Sequence, residues 1–212
     1  MALARCDVHD ASRSGSPTLG PMTVRQLNTP RLLLRGWTEA DREPFAALNA
    51  DPEVMEHFPS TLTREESDDV VERIRAGFAQ HGFGWWAVEV VATGRFVGFT
   101  GLSVPRFHVS WMEEREQPVV EVGWRLARPA WGRGYATEAA GACLDLAFGE
   151  LGRREVVSFT TVSNVRSQAV MRRLGMQRLA TYDHPVEGGS LPSVAYLLDA
   201  GTHWAHGPRP GT

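Results

Sequence analysis

The chain contains no lysine, so all 22 basic residues are arginine. That absence removes the phosphate-binding loop of nucleotidases, whose lysine reaches the phosphates. It also removes Schiff-base chemistry and lysine general bases. A compositional bias of the source genome is the simpler explanation for it. Cysteine is nearly as scarce: Cys6 lies in a polar segment and Cys143 in a helical pattern. No disulfide framework is expected from that pair, and a reducing cytoplasm is the expected compartment. No apolar run approaches the length of a membrane span. No excess of positive charge is present either. A net charge of −3 gives no reason to expect a nucleic-acid partner. What is there, 42% hydrophobic and 22% charged residues in a chain of 212, suits one ordinary globular domain.

Residues 1–28 mix Ser, Gly, Pro, Arg and Thr without a hydrophobic period and read as a disordered polar tail. They lack the apolar core of a signal peptide, and Met22 is a second candidate start. Residues 201–212 read as a polar C-terminal tail, rich in Pro and Gly from about Gly207. Between them, residues 29–200 read as a single alternating domain.

Arg31–Arg35 predicts a short strand. Thr38, with Asp41 three residues on, predicts a helix start, and the helix runs to about Asn49. Asp51–His57 is a short helical turn. Thr63 and Glu66 form a capping box for a longer helix whose apolar stripe is Val70, Val71, Ile74 and Phe78. Gly84–Val91 and Arg95–Val104 are strands joined by a hairpin at Ala92-Thr93-Gly94. Pro105–Pro118 is a loop. Val119–Leu126 is a strand with little polar interruption, as expected of a central one. Ala136, Ala140, Cys143, Leu144, Ala147 and Phe148 mark the buried face of the next helix. Glu155–Thr160 is a strand and Val165–Leu174 a helix ended by Gly175. Met176–Tyr182 and Ser193–Leu198 are late strands. The order predicts a mixed α/β domain, antiparallel at first, with one parallel pairing across the helix at Ala136.

The segment between the central strand and that helix carries the most chemistry. Trp131-Gly132-Arg133-Gly134-Tyr135-Ala136-Thr137 opens directly into the helix. A helix N-terminus has orphan N–H donors and a partial positive charge, which suits a phosphate. Gly132 and Gly134 let a ligand approach the backbone and allow positive φ. The loop therefore suits a diphosphate. About 30 residues on comes a second motif, Asn164-x-x-Ser167-x-x-Val170-Met171-x-x-Leu174-Gly175-Met176. By itself, Asn164 there is an ordinary helix N-cap.

Together these segments resemble the GCN5-related N-acetyltransferase (GNAT) superfamily, nearest to its branch that acetylates ribosomal-protein N-termini. Thr29–Arg35 with Trp37–Asp41 resembles the branch's opening. Gly94–Gly98 resembles its "GxIG" strand and Glu121-Val122-Gly123-Trp124 its acidic strand. Trp131–Ala139 resembles its "WGRGYATEA" loop. The likeness runs from Thr29 to about Leu198. It implies a mostly antiparallel, splayed sheet of six to seven strands flanked by helices, and acetyl-coenzyme A as co-substrate. The backbone from Trp131 to Thr137 would hold the diphosphate: Trp131, Gly132, Arg133, Gly134, Tyr135, Ala136 and Thr137. Trp131 stands where the family usually has Gln or Arg. The pantetheine arm would pair with the backbone around Trp124 and Leu126, and Asn164 would bond its amides.

The reaction implied is direct attack of an amine on the thioester. The acceptor would be a protein N-terminus or a small-molecule amine, and the protein a monomer or homodimer. Glu121, a carboxylate inside an apolar strand, is the candidate general base, acting through a water; desolvation should raise its pKa. Its other reading is an outward-facing or structural residue. Ser167 is the candidate acid for the thiolate, with Tyr182 the nearest residue of the type many members use instead.

Other signals are weaker. Asp183-His184-Pro185 is either part of the acceptor site or turn chemistry. The acidic loop His108–Gln117 either attracts a cation or is simply solvated. Phe83, Trp85 and Trp86 read as core. His203 and His206 lack companions for a metal, and none is expected. Two alternatives stay open. One is a non-catalytic acyl-coenzyme-A-binding sensor. The other is a dinucleotide-binding oxidoreductase, disfavoured because Thr137 stands at the third glycine position.

Overall fold

The first strong element, Leu32–Arg35 (β2), alternates buried Leu32 and Leu34 with half-buried neighbours, as a strand with one face on a core must. In the computed structural model, residues 24–186 and 188–205 are described. Upstream of β2, Leu27–Asn28 (β1) pairs with Leu34 and Leu33. Then come Arg42–Ala50 (α1) and Arg64–His81 (α2): the expected helix start at Thr38 proves to be a capping box with Asp41, and the expected box of Thr63 with Glu66 is present. A single 3-10 turn, Glu39–Asp41, precedes α1. Trp85–Val90 (β3) and Arg95–Ser103 (β4) form the hairpin, which turns at Gly94 with φ of 64°. Glu121–Leu126 (β5), Tyr135–Gly149 (α3), Glu155–Thr161 (β6) and Val165–Arg173 (α4) follow. Gln177–Val186 (β7), Gly189–Asp199 (β8) and Ala200–Ala205 (α5) end the described fold.

The eight strands form one sheet in the order β1-β2-β3-β4-β5-β6-β8-β7. Eight replaces the expected six to seven because β1 is a two-residue edge strand, too short to show a period. Its partner and the Trp86 indole, which donates to the Arg25 carbonyl at 2.7 Å, put it there. Part of the segment read as a tail, residues 1–28, is therefore sheet. At the other end α5 extends past residue 200, held by its buried His203 against Asp145 of α3 at 2.6 Å. Met22, Cys6 and His206 lie outside the described residues. The segment 51–57 makes a single helical turn, the Met55 N–H donating to the Asp51 carbonyl at 3.0 Å, too short to count as a helix.

Every pairing in the sheet is antiparallel except β5 with β6. Those two strands meet at a single register pair, Glu121 with Val157, whereas β4 and β5 stay in register from Ser103–Glu121 to Gly98–Leu126. Beyond Glu121 the parallel pair splays. The two faces of the sheet are covered by different helices. Phe45 of α1 packs edge-on against Phe99 at 5.8 Å, while Cys143 of α3 lies against Thr100, one residue along and so on the opposite face.

Candidate active site

Where β5 and β6 part, a cavity of about 850 Å³ opens through the sheet. Glu121, Trp124 and Leu126 line it from β5, and Asn164 and Ser167 from the first turn of α4. Trp131, Gly132, Gly134, Tyr135, Ala136 and Thr137 line it from the loop and the first turn of α3. Of the expected site residues, Arg133 alone does not. Its side chain turns out between two glycines of positive φ, and its Nε donates to the Pro129 carbonyl at 3.0 Å.

Gly132 and Gly134 have φ of 71° and 79°. Gly134 is the N-cap of α3, and no side chain caps that end, so the donors of the first turn face the cavity mouth uncapped. The loop is fixed from outside. Glu138 in the first turn of α3 accepts from Thr29 Oγ1 at 2.6 Å and from Arg31 Nε at 2.6 Å, and Arg31 Nη1 donates to the Arg133 carbonyl at 2.9 Å. The Thr29-Pro30-Arg31 segment thus braces the loop. Trp131 donates through Nε1 to the Leu126 carbonyl at 2.7 Å, and the Arg128 and Arg166 guanidinium groups lie 5.0 and 4.9 Å from its ring centre.

Asn164 does two things. Its Oδ1 accepts from the Ser167 N–H at 3.0 Å as an N-cap, and it lines the cavity. Glu121 stands at the apex of the splay, 1% exposed, with its carboxylate beside Gly123. Burial pushes its pKa up, and the hydroxyl of Ser103, its register partner, offsets part of that.

Tyr182 and His184 do not line the cavity. The late strand β7 continues through Asp183-His184-Pro185 to Val186, where a turn was one reading, because β8 pairs with it along that whole length. Tyr182 packs against Phe107, Trp111 and Phe159, and its hydroxyl lies 3.4 Å from His184 Nδ1. Burial, and then the charge of Glu121, hold its hydroxyl well above the usual phenol range. The acids of the loop His108–Gln117 are paired: Glu113 with His108 and Glu114 with Arg115 within it, and Glu116 with Arg154, just before β6.

His184 is 6% exposed under the Phe107 ring, and burial pushes its pKa down to about 4. A lowered folded-state pKa gives stability that is present above the ordinary histidine value and lost as pH falls toward 4. Unfolding midpoints in urea should therefore drop between about pH 6.5 and 4, and His184→Asn should drop less over that range. Equal slopes for both proteins would remove this assignment.

Several cavity residues are not visible as functional in the sequence. Trp85 looks like core, yet its indole lies across Gly123: a Cβ placed there would sit 2.8 Å from Trp85 Cη2. Phe99, Phe58, His57 and Arg125 also line the cavity. The one available signal was the presence of an arginine inside the apolar run Glu121–Leu126.

The family model of the acetyltransferase (GNAT) domain matches residues 31–177. The chain belongs to the GNAT acetyltransferase family, whose members use acetyl-coenzyme A and act on amine acceptors. It is 34% identical over 190 residues to the FsC-acetyl coenzyme A-N(2)-transacetylase of Aspergillus fumigatus, spanning 84% of this chain and 78% of that protein. It is 32% identical over 172 residues to the uncharacterized protein YkkB of Bacillus subtilis, spanning 81% of this chain and 94% of that protein. Its fold superposes with a TM-score of 0.66 on an aminoglycoside acetyltransferase solved with coenzyme A, at 20% identity, covering 81% of this chain and 96% of the other. Among the described residues no helix is long and apolar enough to cross a membrane, and no group of three or more His, Cys, Asp or Glu side chains could hold a metal.

Proposed function

We propose that the chain is an N-acetyltransferase that moves the acetyl group of acetyl-coenzyme A to a primary amine, by direct attack of the amine on the thioester. The observation that carries this reading is the splay of β5 from β6 with a buried carboxylate at its apex and an uncapped helix N-terminus at its mouth. Opposite needs are met at the two ends. The α3 N-terminus suits a diphosphate, and Glu121 suits a proton acceptor.

Acetyl-coenzyme A supplies the thioester. The amides of the Trp131–Thr137 loop would hold its diphosphate, and the positive φ of Gly132 and Gly134 turns that backbone toward the cavity. The β5 backbone at Trp124–Leu126 has no β6 partner beyond the Glu121–Val157 pair, so it is free to bond an extended arm. Asn164, with Oδ1 used in the cap, has its amide nitrogen for the same arm. Glu121 would take the proton from the amine through a water, and its raised pKa brings it nearer to a working base at neutral pH. Ser167, on the facing wall, would return a proton to the departing thiolate. Because Tyr182 is packed away from the cavity, Ser167 is the better placed of the two. The sequence pattern resembles the ribosomal-protein N-terminal branch, and both a protein N-terminus and a small amine fit this reading.

The test is calorimetric titration of the purified protein with acetyl-coenzyme A, with NAD in parallel, followed by thiol release with an amine panel. Micromolar binding of acetyl-coenzyme A alone is expected, within the range usual for such substrates. Binding of NAD instead would restore an oxidoreductase, and binding without transfer to any amine would make the chain an acyl-coenzyme-A sensor.

A further inference from the structure

Arg125 is buried, 5% exposed, on the same face of β5 as Glu121 and two residues beyond Gly123. Removing a guanidinium from water is costly unless an anion meets it. Elsewhere in this molecule the rule is kept: the half-buried Arg35 holds both Asp41 and Glu89. Arg125 holds no carboxylate among the described residues. Its Nη1 donates to the neutral Asn49 Oδ1 at 2.6 Å, its Nε has no hydrogen-bond partner, and the Phe58 and Phe99 rings lie 4.0 and 5.4 Å from its carbon centre. Among the described residues the cavity's only lining acid besides Glu121 is Glu53, which is taken by Arg128 at 2.6 Å. Burial accordingly pushes the Arg125 pKa down to about 9.

The same guanidinium lines the cavity, and so does the indole of Trp85, which lies over Gly123 between the two charged residues. Glu121 and Arg125 are four residues apart on one strand, so their Cα atoms are about 13 Å apart. The order along this wall is carboxylate, flat apolar surface, cation. We infer that the acceptor is an amine that also carries a carboxylate: the amine reaches Glu121, an apolar spacer lies on Trp85, and the carboxylate is met by Arg125. This rests on the amine-acetyltransferase reading above and names the class of acceptor for it. Arg125 is then the residue that sets acceptor choice, through charge-assisted hydrogen bonds to the carboxylate.

The test uses straight-chain ω-amino carboxylates of increasing length, each beside the n-alkylamine of equal length, with thiol release from acetyl-coenzyme A as the readout. The wild type is expected to favour the carboxylate over its matched amine by about tenfold or more in kcat/KM at one length. Arg125→Gln should bring that ratio close to one, with coenzyme A titration as the check of folding, and Arg125→Lys should retain a preference. Acetylation of both series without preference at any length overturns the inference and leaves the acetyltransferase reading standing. So does a preference that survives in Arg125→Gln. That wild-type comparison decides even if the glutamine variant does not fold. Should no amine in either series be acetylated, the acetyltransferase reading is what fails. Titration with straight-chain carboxylates alone then judges the anion site: binding to the wild type lost in Arg125→Gln supports it, and no binding overturns it.

Discussion

Gly134→Asp is expected to weaken acetyl-coenzyme A binding by about 100-fold or more while leaving the protein folded. Gly134 has φ of 79°, a conformation that Asp tolerates better than most residues, so the backbone cost is small. A Cβ there would meet Arg31 Nη2 at 3.3 Å, the end of a flexible side chain already paired with Glu138, and a second acid would share it. A carboxylate also suits a helix N-terminus, so α3 gains rather than loses. What the acid does oppose is a second anion in the same place, and like charges in contact cost several kcal/mol. Calorimetric titration with acetyl-coenzyme A, beside thermal unfolding, separates the two effects. Unchanged affinity in a folded Gly134→Asp protein would remove the diphosphate from this loop. A branched residue such as Val is a poorer probe, since it fits positive φ badly and confuses strain with occlusion.

The second large effect concerns Glu121→Gln, for which kcat/KM should fall about 100- to 10,000-fold if the carboxylate is the base. The sign of the pH dependence follows from its raised pKa. Only the ionised form can accept a proton, so the wild-type rate should rise with pH, and burial places that rise above the ordinary carboxylate range. The variant should lose this limb of the profile. Stability should move the other way. A group whose folded-state pKa is raised contributes stability at low pH that is lost as pH rises through that pKa, because the folded protein resists the charge. Glu121→Gln, neutral at every pH, should therefore unfold at higher urea than the wild type at neutral pH, while the two converge in acid. Slower catalysis with greater stability is not what general misfolding would produce. A variant with wild-type rate and profile would return Glu121 to a structural role.

Much of this molecule can be read along the chain because the deciding interactions are local. The capping boxes at Thr38 and Thr63 place α1 and α2 through contacts three residues apart. The hairpin turn at Gly94 and the loop before α3 at Gly132 and Gly134 depend on backbone angles that glycine alone takes freely. The apolar run of β5 marks a strand buried in mid-sheet, and its one acid is visible as out of place. Residues whose surroundings come from distant segments were not legible in this way. The strand β1 is too short for a period, and β7 outlasts its own pattern because β8 pairs with it. His184 and Tyr182 look available for chemistry in sequence and are packed under Phe107 instead.

The sequence by itself determined the family motifs, the order of the elements and the loop at the mouth of α3, since each rests on neighbours in the chain. Only the tertiary structure decided where β5 leaves β6, because that depends on strands joined through α3. It alone placed the Trp85 indole across Gly123, bringing together β3 and β5, which are not adjacent in the sheet. And it alone left Arg125 buried with no carboxylate partner among the described residues, since Glu53, which lines the same cavity, is held by Arg128.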